Sequence, residues 1–237
     1  MKIIIIGATS GLGKGTAELF AQAGHQVGIT GRRAELLDEI QTRYPAHVLT
    51  ETMDVTAPDC IERLNSLIVK MQGVDMLLYS SGIGKANEGI IFEDENNTNL
   101  VNVFGFTRII DFVYNYFAEQ RHGHLAVISS VAGFRGLRGA PSYSASKGYQ
   151  RLYIESLAQT AHKYKHKVTF TTVIPGFVDT DLIKGQKYPL TLSLEKAVKI
   201  MYRGLVKRKR IVYVNERWRY LVFLMKRIPI WLWERML

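Results

Sequence analysis

The sequence predicts a single α/β domain: a doubly wound parallel sheet of about seven strands with helices on both faces. Three observations predict it. Short apolar runs alternate with amphipathic helical stretches along the chain, the pattern of a parallel sheet covered on both sides. The 237 residues suit one well-buried core and leave no spare segment for a second. Residues able to do chemistry recur just after strand ends, where such sheets bind ligands.

The first strand, Lys2–Ile6, holds four consecutive isoleucines and runs straight into Gly7. A β-branched run this short, closed by glycine, reads as a strand. The same reasoning places strands at Gln26–Thr30, Val48–Met53, Asp75–Tyr79, His124–Ser129, Lys167–Ile174 and Arg210–Val214. Helices are expected at Gly11–Ala23, Arg33–Tyr44, Pro58–Gln72, Asn96–Gln120, Tyr143–Tyr164 and Ser193–Lys207. Residues 1–214 form one domain in this reading, and 215–237 an appended amphipathic tail.

Composition narrows the class. Hydrophobic content of 47% and charged content of 22% are ordinary globular values. The single cysteine, Cys60, excludes an internal disulfide framework and suits a reducing compartment; without a partner it reads as a helix-face residue. No run approaches the length of a spanning helix, so a cytoplasmic protein is expected, with contact to a membrane surface left open. The formal charge of +10 would welcome nucleic acid, an anionic cofactor or a lipid surface. No nucleic-acid motif accompanies it. Its basic residues concentrate late, in Lys207–Arg208–Lys209–Arg210 and then Arg217, Arg219, Lys226 and Arg227. The histidines have no metal-ligand spacing with carboxylates, so no metal is expected.

After the first strand, Gly7–Ala8–Thr9–Ser10–Gly11–Leu12–Gly13 leads into a helix. Glycines permit a tight turn and close approach of a pyrophosphate to the backbone. The helix start supplies oriented N–H groups and a positive dipole end. The spacing is G-x-x-x-G-x-G rather than the commoner G-x-G-x-x-G, but its place between strand and helix makes the sheet Rossmann-like. The second strand ends Thr30–Gly31–Arg32–Arg33. An acidic residue there would select NAD through the ribose hydroxyls; two guanidiniums favour a 2′-phosphate instead. NADP(H) is the expected cofactor. Asp54 closes the third strand and either caps an adenine amine or caps the helix near Pro58.

The fifth strand runs into Ser129–Ser130, and thirteen residues after Ser130 comes Tyr143–Ser144–Ala145–Ser146–Lys147. Tyr143 and Lys147, four apart on a helix, share one face. A neighbouring ammonium favours a phenolate and brings a phenol towards working range as acid and base. Ser130 can hold the substrate oxygen against the tyrosine.

From Lys2 to about Val214 these motifs resemble the short-chain dehydrogenase/reductase family, in its NADP-preferring branch. The matching residues are Gly7, Gly11 and Gly13; Asp54; Asn102; Ser130; Tyr143 and Lys147; and Pro175–Gly176–Phe177–Val178–Asp179–Thr180. The resemblance implies a catalytic tetrad of Asn102, Ser130, Tyr143 and Lys147, with Asn102 kinking the long helix and holding a relay water. It implies a dinucleotide held by Gly7, Ser10, Gly11, Leu12, Gly13, Arg32, Arg33, Asp54, Val55, Ser80, Ser81 and Gly82. Tyr143, Lys147, Pro175, Gly176, Val178 and Thr180 would complete that set at the nicotinamide. The implied reaction is NADPH-dependent reduction of a ketone or aldehyde, or oxidation of the alcohol. A homodimer or homotetramer joined through Asn96–Gln120 and Tyr143–Tyr164 is also implied.

Some positions depart from the family pattern: Tyr79–Ser80–Ser81–Gly82 stands where the family has Asn-Asn-Ala-Gly, with Tyr79 in place of the asparagine that braces the sheet, and Ile6 stands where a threonine is usual. A non-catalytic nucleotide-binding regulatory protein is the alternative class, normally marked by a broken tetrad; all four members are present here.

The substrate loop, Asp181–Leu192, carries Lys184, Lys187 and Tyr188. Arg135 and Arg138, after the fifth strand, either meet an anionic substrate or sit in a solvated loop. In the tail, Trp218, Leu221, Val222 and Met225 follow helical spacing, widened by Phe223 and Leu224 and interrupted by Pro229. The tail either packs on the domain or a partner subunit, or lies at a membrane surface, which would make the enzyme a peripheral reductase of lipid-like carbonyls.

Overall fold

The computed structural model describes residues 1–84, 89–180 and 188–236, so the loop residues Lys184 and Lys187 lie outside it. The chain opens with β1 (Lys2–Ile6), α1 (Gly11–Gln22), β2 (Gln26–Gly31), α2 (Ala34–Arg43), β3 (Val48–Thr52) and α3 (Cys60–Lys70). β4 (Met76–Tyr79), α4 (Phe92–Asn99), a wider π turn (Leu100–Gly105), α5 (Phe106–Glu119) and β5 (Gly123–Ile128) follow. A 3-10 turn (Val131–Phe134), α6 (Pro141–Lys163), β6 (Val168–Ile174), α7 (Leu194–Val206) and β7 (Ile211–Tyr213) complete the α/β unit. Two short helices, α8 (Arg217–Met225) and α9 (Ile230–Met236), end the described chain.

Among the described residues seven strands form one sheet in the order β3-β2-β1-β4-β5-β6-β7. Every pairing is parallel. The order reverses between β1 and β4, which creates a crevice beyond their carboxyl ends. The isoleucine run shows why the sheet is buried on both faces. Ile3 and Ile5 point into a core shared with Phe20 of α1, Leu37 of α2 and Met201 of α7. Ile4 and Ile6 point the other way, among Leu64 of α3, Phe106 and Val113 of α5 and Ile154 of α6. With a side-chain period of two, a strand covered on both sides needs apolar residues at every position.

Strand positions agree with expectation to within a residue or so. Asp75, just before β4, clamps the strand start: its carboxylate accepts the backbone N–H of Lys2 at 2.8 Å and its own N–H donates to the Lys2 carbonyl at 2.8 Å. The expected Asn96–Gln120 helix is longer and is interrupted. It begins at Phe92, behind an acidic first turn of Glu93, Asp94 and Glu95 that favours a helix N-terminus, and widens to a π turn at Asn102. α3 begins at Cys60, whose thiol lies on the helix face turned into the core and is wholly buried.

Candidate active site

β1, β4, β5 and β6 deliver the site residues to one edge of the sheet. Gly7 leaves β1 with φ +83, and a methyl on it would lie 2.7 Å from the backbone of Ser81. Gly13 meets the same turn from the helix side: its α-carbon packs against the Gly7 carbonyl, with Ser80 Oγ 2.9 Å from where a methyl would sit. Only glycine permits both approaches. Ser80 and Ser81 therefore floor the glycine turn. Thr180 closes the turn from β6, its methyl 3.6 Å from the position of a Gly11 side chain.

The start of α1 is open to an anion. Ser10 makes no side-chain cap, and no acidic residue lies in the first turn. Its first amides are thus left for another acceptor, as a pyrophosphate site requires. Arg33 crosses to this turn and donates to Thr9 Oγ1 at 2.7 Å and Ser10 Oγ at 3.2 Å. Arg32 is exposed and lies 3.9 Å from Asp54. Asp54 caps no helix: its Oδ1 accepts from the backbone N–H and the hydroxyl of Thr56, at 2.9 and 2.7 Å. Val55 is buried beside the π turn, against Gly105. These residues fit a nicotinamide dinucleotide.

At the other end, Ser130 follows β5 and its Oγ accepts from the N–H of Ala132 at 3.1 Å. Its hydroxyl also faces the Tyr143 phenol and favours that group's charged form. The Tyr143 ring packs against Gly84. Lys147, buried one turn further along α6, has its Nζ 5.8 Å from the centre of that ring. The lysine donates to the Ile128 carbonyl at 3.0 Å and to Gln150 Oε1 at 3.1 Å. Burial lowers its pKa to about 8. Burial also pushes the Tyr143 phenol up, opposed by the Ser130 hydroxyl. The downward pull expected from Lys147 is therefore not the dominant influence on the phenol: both groups resist charging in the same enclosed space.

Asn102 sits inside the π turn, where the widened backbone turns its side chain towards the site. Its Oδ1 accepts from Ile83 N–H at 2.9 Å, and its Nδ2 donates to the Ile83 carbonyl at 2.7 Å and to Ser146 Oγ at 3.0 Å. Gln150 was not foreseen. Its Nε2 donates to the Asn102 carbonyl at 2.9 Å while its Oε1 holds Lys147, so one buried amide joins two tetrad members. The signal was present, since Gln150 lies seven residues after Tyr143 and three after Lys147 on the same helix face. Tyr79 spans the gap left by the missing asparagine, donating to the Val101 carbonyl at 3.2 Å and meeting Phe106 edge-on.

Beyond β6, Pro175 accepts from Val131 N–H at 3.0 Å, and Val178 is bridged to Leu192. Gly176 lies directly under Trp218, and a methyl there would collide with the indole nitrogen. Phe177 stacks on Tyr188 with centroids 4.0 Å apart and meets Trp218 edge-on. The first tail helix thus walls the site with an aromatic cluster. Arg135 serves this wall rather than a substrate anion or open solvent. It donates to the carbonyls of Met225, at 3.1 Å, and Ile228, closing the end of α8. Trp233 follows, under Arg135 and donating to Gly136 O at 2.9 Å. Arg138 is exposed.

Comparison with known proteins gives the same answer. Residues 1–188 match the family model described as short chain dehydrogenase. An uncharacterized oxidoreductase of Myxococcus xanthus is 32% identical over 212 residues, covering 86% of this chain and 83% of that protein. The closed form of a serine dehydrogenase complexed with NADP+ superposes with TM-score 0.77 at 25% identity, covering 86% of this chain and 88% of that one. A short-chain dehydrogenase/reductase from Burkholderia phymatum in complex with NAD gives TM-score 0.82 at 18% identity, covering 94% and 92%, a likeness of fold alone. With its glycine turn, its seven-stranded Rossmann-like sheet and these relatives, the chain belongs to the short-chain dehydrogenase/reductase family of oxidoreductases.

Proposed function

We propose that the protein is an NADP(H)-dependent oxidoreductase that interconverts a ketone or aldehyde and its alcohol, with Tyr143 as the acid and base. The observation that carries this is the enclosed group of Tyr143, Ser130 and Lys147, joined through Gln150 to Asn102. Residues 1–214 would supply all the catalytic and cofactor-binding groups, with the tail closing one side.

When bound, the reduced nicotinamide supplies a hydride to the carbonyl carbon. Ser130, its Oγ already oriented by Ala132 N–H, holds the substrate oxygen beside the phenol. Tyr143 donates its proton as negative charge grows on that oxygen. The enclosure that resists a phenolate makes proton return favourable, and the Lys147 ammonium offsets the charge while it lasts. Gln150 and the Ile128 carbonyl keep that ammonium in position. The cofactor end is supported by the open start of α1 and by Arg33 above Thr9 and Ser10, a setting for a 2′-phosphate.

Tyr143→Phe tests the assignment. NADPH consumption over a panel of aliphatic and aromatic carbonyls should vanish, while NADPH binding by fluorescence stays close to wild type. A phenylalanine variant with near-normal turnover refutes the mechanism.

A further inference from the structure

We propose that the outer face of α8 and α9 docks the protein onto a bilayer surface rich in anionic phospholipid. The two helices divide their side chains sharply. Trp218 and Val222 point inward and are buried against Val131 and Ile174. Tyr220, Phe223 and Leu224 form the opposite side of α8 and are 70, 54 and 58% exposed. Ile230, Trp231 and Leu232 continue this apolar surface on α9, with Ile230 60% and Trp231 58% exposed. No element among the described residues covers it.

The charge around this surface decides what it fits. Residues 203–236 contain ten lysines and arginines against two glutamates, so +8 of the chain's +10 lies here. A groove of about 500 Å³ runs beside α8, lined by Tyr213, Arg219, Tyr220, Val222, Phe223 and Lys226. Across Tyr213 lies a second depression with Arg203, Lys207 and Lys209 on its rim. Apolar floor and cationic rim together match an acyl region beneath anionic headgroups. A second copy of the chain would bring the same cations face to face, which opposes self-pairing. Nucleic acid would use the rings and the cations but gain nothing from Leu224, Ile230 and Leu232. Arg227 stacks on Phe223 with its guanidinium 3.4 Å from the ring centre, and Arg235 lies over Trp231. Their cations thus sit at the height of the aromatic rings, as in an interfacial belt. Neither helix is long enough to span a bilayer, so both lie in its plane.

The inference does not rest on the proposed reaction, and its test needs no substrate. Full-length protein is sedimented with vesicles of phosphatidylcholine alone or mixed with phosphatidylglycerol, and sedimentation velocity without lipid gives its oligomeric state. Protein should pellet with the mixed vesicles, release as salt rises, and stay in solution with the neutral ones. Phe223→Ser, Leu224→Ser and Trp231→Ser combined should weaken binding on the order of a hundredfold. Arg219→Gln with Lys209→Gln should weaken it roughly 25-fold. Unchanged far-UV circular dichroism and thermal unfolding of both variants establish that they are folded. Three results would overturn the proposal: no pelleting with the anionic vesicles, undiminished pelleting of both variants, or a lipid-free dimer that the triple variant dissociates.

Discussion

Cofactor choice is the sharpest consequence of the site, and it turns on Arg33. The perturbation is Arg33→Ala, alone and with Arg32→Ala. Arg33 is already drawn over the glycine turn by Thr9 Oγ1 at 2.7 Å and Ser10 Oγ at 3.2 Å, so little ordering remains when a phosphate arrives. A hydrogen bond to a charged group contributes about 1.5–3 kcal/mol, and exposure reduces that towards about 1 kcal/mol. Arg32 is held only loosely, 3.9 Å from Asp54 with most of its side chain exposed, and should contribute less than Arg33. For the pair, about 1–2 kcal/mol corresponds to roughly 5- to 30-fold in Kd for NADPH. NADH carries no 2′-phosphate, and its affinity should move by about twofold at most. Calorimetric titration of each cofactor against wild type and the two variants reads this directly, without a known substrate. Equal weakening of NADPH and NADH, or a wild type that prefers NADH, would refute the reasoning.

Three further outcomes follow from the same site. Burial lowers Lys147 to about 8 from an ordinary 10.5, so between those values the folded protein holds fewer protons than the unfolded chain and stability rises with pH. Lys147→Met should therefore be more stable than wild type at pH 7, by up to about 3 kcal/mol, with the gap closing by pH 10.5; urea unfolding across that range with no convergence would contradict this. Gln150→Leu leaves the Asn102 carbonyl and the lysine without the partners now at 2.9 and 3.1 Å. It should lower stability by about 1–3 kcal/mol and reduce kcat with a shifted pH profile, while NADPH affinity stays within about threefold; a kcat and pH profile like the wild type's would reduce Gln150 to packing alone. Gly176→Ala drives a methyl into the Trp218 indole. It should lose about 1–3 kcal/mol, or roughly 2–12 °C in Tm, with part recovered by adding Trp218→Leu; an unchanged Tm would show that α8 does not press on this turn.

Much of the site was legible because its chemistry is local. Gly7, Gly11 and Gly13 needed only the strand before them and the helix after, whereas helical periodicity put Tyr143 and Lys147 on one face and their weight came from Ser130 at a strand end and the glycine turn. The kink at Asn102 was legible only through the family resemblance, because the partners its side chain meets, Ile83 and Ser146, lie far from it in sequence. Arg135 was misjudged for a related reason. Its partners, the carbonyls of Met225 and Ile228, lie some ninety residues away in sequence. The tail was a single apolar stripe in sequence. Packing divided it, taking Trp218 and Val222 inward and leaving Phe223 and Leu224 outside.

Sequence alone determined the doubly wound fold and the order of its elements. Those follow from side-chain period, while the proposed tetrad of Asn102, Ser130, Tyr143 and Lys147 came from the family resemblance. Only the tertiary structure decided how the groups act on one another. It enclosed Tyr143 with Lys147, so that burial opposes charge on both. It placed Gln150 between Lys147 and Asn102, and it brought Trp218 from the tail to stand over Gly176. The physical reason is distance along the chain: desolvation and long-range contact exist only once separate elements are packed together.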